Sequence, residues 1–143
     1  MAITQAMCTS FKQALLDGEM DFSSDTAQSY KIALYTSSAS LDAATTAYTT
    51  SNEVSGTGYT AGGNTLSIST APTTSGTTAF LSFGTTTWTT ATITARGALI
   101  YQAGGSTPAV AVLDFGSDKG SSAGDFQITF PAANATDAII RIA

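Results

Sequence analysis

Residues 91–115 read ATITARGALIYQAGGSTPAVAVLDF: two runs of β-branched and apolar residues around the breaker Gly104-Gly105-Ser106-Thr107-Pro108. That pattern predicts a β-hairpin with a longer loop. In the second run Val110 and Val112 point to one side, while Ala111, Leu113 and Phe115 point to the other. Both faces are apolar, which predicts a strand in mid-sheet, covered on either side.

Outward from this hairpin the chain reads as further strands. Downstream, GSDKGSSAGD (116–125) predicts a loop, and Phe126, Ile128 and Phe130 then alternate with Asp125, Gln127 and Thr129 in a half-buried strand that Pro131 ends. Ala138–Ile142 predicts a terminal strand. Upstream, Trp88 lies in a Thr-rich extended run as a rim-of-core tryptophan with its N–H bonded. Ala79, Leu81 and Phe83 line another strand, with Phe80 hinting at a second contact, and residues 71–76 turn the chain before it. Leu66 and Ile68 alternate with Thr65, Ser67 and Ser69. A short strand is expected near Thr46–Thr49, and Tyr30–Thr36 (YKIALYT) forms the first one.

At the N-terminus, Met7, Cys8, Phe11 and Leu15 fall on one face of a helix predicted over residues 4–16. Thr4 would be its cap, Ile3 would pack on Cys8, and Gly18 would be its stop. The fold expected is therefore mainly β: an antiparallel β-sandwich, immunoglobulin-like or jelly-roll, with one N-terminal amphipathic α-helix. Its parts are the helix in residues 1–18 and a sandwich domain in 28–143.

Composition narrows the functions. Charged residues make up 10% of the 143-residue chain, against about 25% in an average soluble protein, and Thr, Ser, Ala and Gly replace them. Such a surface suits a chain that lies against other protein. Net charge is −5, and the five cations are scattered, so no basic stripe tracks phosphates and no nucleic-acid partner is expected. The chain has no run of 18 apolar residues and no basic-then-apolar leader, so neither a membrane span nor a secretion signal is expected.

There is no histidine, and Cys8 is the one cysteine, which removes intrachain disulfides and the usual acid–base catalyst of neutral pH. Cys8 itself reads as a small buried hydrophobe. Asp17, Glu19, Asp21 and Asp25 lack the spacing of a calcium loop, as do Asp114, Asp118 and Asp125, and both sets read as solvated turns. The segment SNEVSGTGYTAGGN (51–64) carries Gly56, Gly58, Gly62 and Gly63 but neither the third glycine nor the lysine of a phosphate-binding loop. It reads as a structured surface loop anchored by Tyr59. No catalytic residue, metal or cofactor is expected, and the chain does not read as an enzyme.

The ordered set SFKQALLDG (10–18), YKIALYTSSA (30–39), TTAYTTSNEVSGTGYTAGGNTL (45–66), ARGALIY (95–101), AVAVLDFG (109–116), GDFQITFP (124–131) and IIRIA (139–143) resembles small virion structural proteins of tailed bacteriophages. The resemblance runs along essentially the whole chain and is most specific at residues 48–63 and at 98–101 with 110–115. It implies a structural role without catalytic residues, located in the virion and assembled in the host bacterial cytoplasm. The expected function is capsid decoration or cementing. A tail, neck, baseplate or fibre-base adaptor is the alternative, and a carbohydrate- or receptor-binding module using Tyr48, Tyr59, Trp88 and Tyr101 a further one. Partners would be other virion proteins, with the chain a homo-oligomer in the particle. The candidate contact residues are Met7, Phe11 and Leu15 on the helix and Glu53, Val54 and Tyr59 in the glycine-rich loop. Removal of residues 1–18 would be expected to leave the sandwich folded.

Overall fold

The computed structural model describes residues 2–143. The strands are β1 (Ala6–Met7), β2 (Tyr30–Tyr35), β3 (Asn64–Leu66), β4 (Ile68–Ser75), β5 (Thr78–Phe83), β6 (Thr86–Gln102), β7 (Ala109–Ile128) and β8 (Ile140–Ile142). One helix, α1 (Thr9–Leu16), lies between β1 and β2. The strands form a five-stranded sheet, β1-β7-β6-β2-β3, and a three-stranded sheet, β4-β5-β8, with every strand pair antiparallel. This is the mainly-β, two-sheet architecture with one short helix that the alternation predicts. The division is five and three, whereas an immunoglobulin constant domain divides four and three.

The hairpin at 91–115 is the inner part of a much longer ladder. β6 and β7 pair from Tyr101↔Ala109 out to Thr86↔Ile128, and the 17 residues of β6 span roughly 55 Å at about 3.3 Å each. Residues 116–125 are therefore strand, not the expected loop, and Trp88 and Phe126 pair across the same two strands. Bulges absorb the turn-forming residues. Gly97 pairs Asp114 and Ala95 pairs Lys119, so Arg96 alone faces four residues of β7. Gly116 sits in that bulge at φ 80°, with its N–H donated to Asp114 Oδ1 at 2.9 Å. Val110 to Val112 are buried between β1 and β6, as two-sided apolarity requires.

The N-terminus departs from expectation. Ala6–Met7 is a strand on the outer side of β7, paired with Val112 and Ala111, and the helix begins only at Thr9. Thr4 caps nothing; its N–H donates to the Leu41 carbonyl at 2.8 Å, and Cys8 occupies the cap position without a side-chain hydrogen bond. The open ladder of β7 offers backbone partners that an extra helical turn begun by β-branched Ile3 and Thr4 would forgo. Gly18 does stop the helix, at φ 72°, in a Schellman motif: Gly18 N–H donates to the Leu15 carbonyl at 3.2 Å and Glu19 N–H to the Ala14 carbonyl at 2.9 Å.

One core holds all of this together. Ile3, Cys8, Phe11 and Ala14 are buried in the same cluster as Ile32, Leu99, Val112 and Ile140. Phe22 stacks on Tyr30 (centroids 4.1 Å apart) and meets Phe11 edge-on at 5.9 Å, while Phe83 of the smaller sheet lies 6.3 Å from it. Ile3, Cys8, Phe11 and Ala14 thus tie the N-terminal segment into the core of the sheets, and removal of residues 1–18 would uncover that core rather than leave the sandwich intact. β5 buries Phe80, Leu81, Ser82 and Phe83 without alternation and leaves Ala79 exposed, because it is the central strand of its sheet. Near Thr46–Thr49 there is only an isolated bridge, Ala47↔Pro108. The turn expected at 71–76 comes later, since β4 continues to Ser75.

Candidate functional site

β3 covers β2 only as far as Ile32, which leaves the outer edge of β2 to be satisfied by other groups. The glycine-rich loop does this. Val54 N–H donates to the Leu34 carbonyl at 2.9 Å, and the Tyr59 hydroxyl accepts the Leu34 N–H at 2.9 Å. The glycines let the loop backbone lie directly on the sheet: a Cβ on Gly58 would stand 2.7 Å from Ala91 Cα. A loop that reads as surface decoration is the cover of a sheet edge.

Glu53 clasps this cover. Its Oε1 accepts the Tyr59 hydroxyl at 2.6 Å and the Gly62 N–H at 2.7 Å, and its Oε2 accepts the Tyr48 hydroxyl at 2.7 Å. Tyr101 donates to the Gly62 carbonyl at 2.7 Å, and its ring stacks on Tyr48 with centroids 4.7 Å apart. Burial first, then hydrogen bonding to the Glu53 carboxylate, pushes the Tyr59 and Tyr48 hydroxyls well above the ordinary tyrosine value. Burial, and then the Glu53 charge, raises Tyr101 in the same direction. All three hydroxyls are therefore held as neutral donors.

A glutamine at position 53 can keep the carbonyl toward Tyr59 and Gly62 while Tyr48 rotates to accept from its amide. Glu53→Gln is accordingly expected to lose about 1 kcal/mol, and Glu53→Ala, which strips three donors of their acceptor, about 3 to 5 kcal/mol. Equal small losses in urea unfolding would show that the clasp does not hold the loop.

The six candidate contact residues separate. Phe11 is 1% and Val54 4% exposed, so both belong to the core rather than to an outer contact. Glu53 and Tyr59 turn inward into the clasp. Met7 and Leu15 alone come together at the surface, in a hollow with Lys12, Leu16, Arg141, Ile142 and Ala143. Leu15 and Ile142 also line an adjoining apolar groove with Phe11, Met20, Phe22, Pro72 and Leu81, about 520 Å³ in volume.

The most exposed large apolar side chains here, Leu16 at 90% and Ile142 at 52%, lie outside the helical face of Met7, Phe11 and Leu15 that the spacing singles out. The signal for Leu16 is the Leu15-Leu16 doublet, since adjacent helical residues cannot both face one core. The four aromatics considered for glycan binding are brought together, but inward. Tyr59 stacks on Trp88 at 5.9 Å, Trp88 and Tyr101 are buried, and the Trp88 Nε1 finds no acceptor among the described residues, contrary to the bonded N–H expected.

Cys8 is fully buried, and desolvation followed by the Asp42 charge pushes its thiol up to about 11, so no interchain disulfide is available to the folded chain. Among the described residues no group of three potential metal ligands occurs and no helix is long and apolar enough to cross a membrane. Comparison with protein-family models, with curated proteins and with solved structures returns no match.

Proposed function

We propose that this chain is a structural protein of a bacteriophage virion, decorating or cementing the capsid exterior. The observation that carries the reading is the uncovered apolar surface at the end of α1 and along β8, where Leu16 and Ile142 stand exposed. The rest of the surface is Thr-, Ser- and Gly-rich, and the polar cluster around Glu53 is engaged in holding a loop. A stable scaffold with a small sticky face suits repeated docking, in which many copies turn modest contacts into firm attachment. The whole-chain resemblance supports the same role.

The test is incorporation into particles. Leu16→Asp with Ile142→Asp should leave the isolated protein folded and abolish its uptake into virions. Normal uptake would refute the reading. The position in the particle is read from copy number: on the order of hundreds means the shell, and about three to a dozen means an adaptor on the tail axis, because ring symmetry sets the count there.

A further inference from the structure

Open sheet edges invite pairing, and this fold blunts two of them. β4 carries Pro72 and two register shifts. The outer stretch of β7 carries Asp118, Lys119 and Asp125 together with positive-φ Gly116 and Ala123. β8 is different. It is an edge strand of the smaller sheet, Ile140-Arg141-Ile142, with no proline and no register shift, and it borders the hollow built from Met7, Leu15, Leu16 and Ile142.

The charge around that hollow is also distinctive. Lys12 and Arg141, two of the five cations in a chain of net charge −5, line it, and no acidic side chain does. Neither cation is in an ion pair among the described residues, where Arg96–Asp114 is the one pair found. Arg141 makes only a 3.4 Å contact from Nη1 to the Ala135 carbonyl.

We propose that β8 is a docking edge for an extended segment of another protein, alternating apolar and acidic. The segment adds as a fourth strand to the smaller sheet, with apolar residues in the hollow and carboxylates against Lys12 and Arg141. A second copy of the chain is the poorer occupant. Two-fold antiparallel pairing of β8 centred on Arg141 would set Arg141 against its own copy, and like charges directly opposite destabilise a sheet. The inference deepens the structural role proposed above, and rests on it in taking the occupant to be another assembly protein. The surface itself is tested without particles.

The experiment uses the full chain and two labelled synthetic heptapeptides, one alternating glutamate with valine and the other lysine with valine. The glutamate peptide should bind about tenfold more tightly, the scale of two exposed ion pairs, and more weakly as salt rises. NMR shifts should centre on Ile139–Ala143. Lys12→Glu with Arg141→Glu should reverse the preference, and Leu16→Asp should abolish both. All three side chains are exposed, and the far-UV spectrum checks that each variant folds. Equal binding of the two peptides, binding of neither, or shifts centred elsewhere would overturn the proposal. So would a dimer of the free protein that Leu16→Asp dissolves, since the edge would then be closed by a second copy. Failed particle uptake of the phage reading would leave the peptide result untouched, so the two can fail separately.

Discussion

Above pH 10 the protein is expected to hold its tyrosines protonated and then unfold in one step, with tyrosinate absorbance and loss of the β spectrum rising together. Tyr30 and Tyr35 are fully buried and donate to the Asp21 and Thr49 carbonyls at 3.1 and 2.6 Å. Burial drives both hydroxyls far above the ordinary value of 10, outweighing the hydrogen bonds, which lower them. The sign follows from proton counts. Above pH 10 the unfolded chain releases tyrosine protons that the folded chain keeps, so stability that is complete below pH 10 falls as pH rises. At pH 11 the two groups together remove about 3 kcal/mol. Tyr48 and Tyr59 act in the same direction, as does Cys8, whose contribution fades between about 9 and 11. Against a total stability of about 5 to 15 kcal/mol, the transition should fall between about pH 10.5 and 12. Gradual appearance of tyrosinate from pH 10 with the β spectrum unchanged would mean that these rings are open to water.

The features legible in the sequence are those that alternation encodes. Val110 to Leu113 announce a strand covered on both faces because every position is apolar, and Gly104 to Pro108 announce its turn. Residues 116–125 mislead for a physical reason. Gly, Ser and Asp mark a turn and a bulged, exposed edge strand equally well, and only pairing with the β-branched run of β6 decides between them. Met7, Cys8, Phe11 and Leu15 have helical spacing, yet Ala6 and Met7 lie in a sheet because β7, a hundred residues away in the chain, offers them backbone partners. The clasp was hidden for the same kind of reason. A glutamate in a loop of glycines reads as solvated, and nothing local says that three donors from residues 48 to 62 will converge on it. Tyr59 was legible as an anchor, but what it anchors was not. The docking edge depends on which faces the tertiary fold leaves uncovered: the Leu15-Leu16 doublet signals one outward leucine, but its meeting with Ile142 emerges only once β8 and α1 are side by side.

Gly63→Ala is expected to be the most damaging of the glycine-to-alanine changes among the described residues, costing about 4 kcal/mol or more. Gly63 sits at φ 76°, and a Cβ there would overlap the Ile32 carbonyl and lie 2.8 Å from Ala33 Cα. Both obstacles are backbone in the middle of β2, which is fixed by its pairs with β6: Ile32 lies opposite Ile100 and Ala33 opposite Leu99. β2 cannot retreat without breaking that ladder, so the loop must lift. Lifting it removes Tyr59 from Leu34 and Gly62 from Glu53. Gly18→Ala supplies the control, because Gly18 has nearly the same φ, 72°, and nothing within 4 Å of its Cβ position. That change should cost only the left-handed backbone strain, about 1 to 2 kcal/mol. The difference between the two urea midpoints therefore measures the close approach of loop to sheet alone. Trp88 reports the same event by another route: with Tyr59 gone from its face, its emission should shift to the red in Gly63→Ala and stay put in Gly18→Ala. Equal losses in the two variants, with Trp88 unmoved in both, would mean that β2 yields to the methyl group and that the loop does not depend on the glycine for its seat.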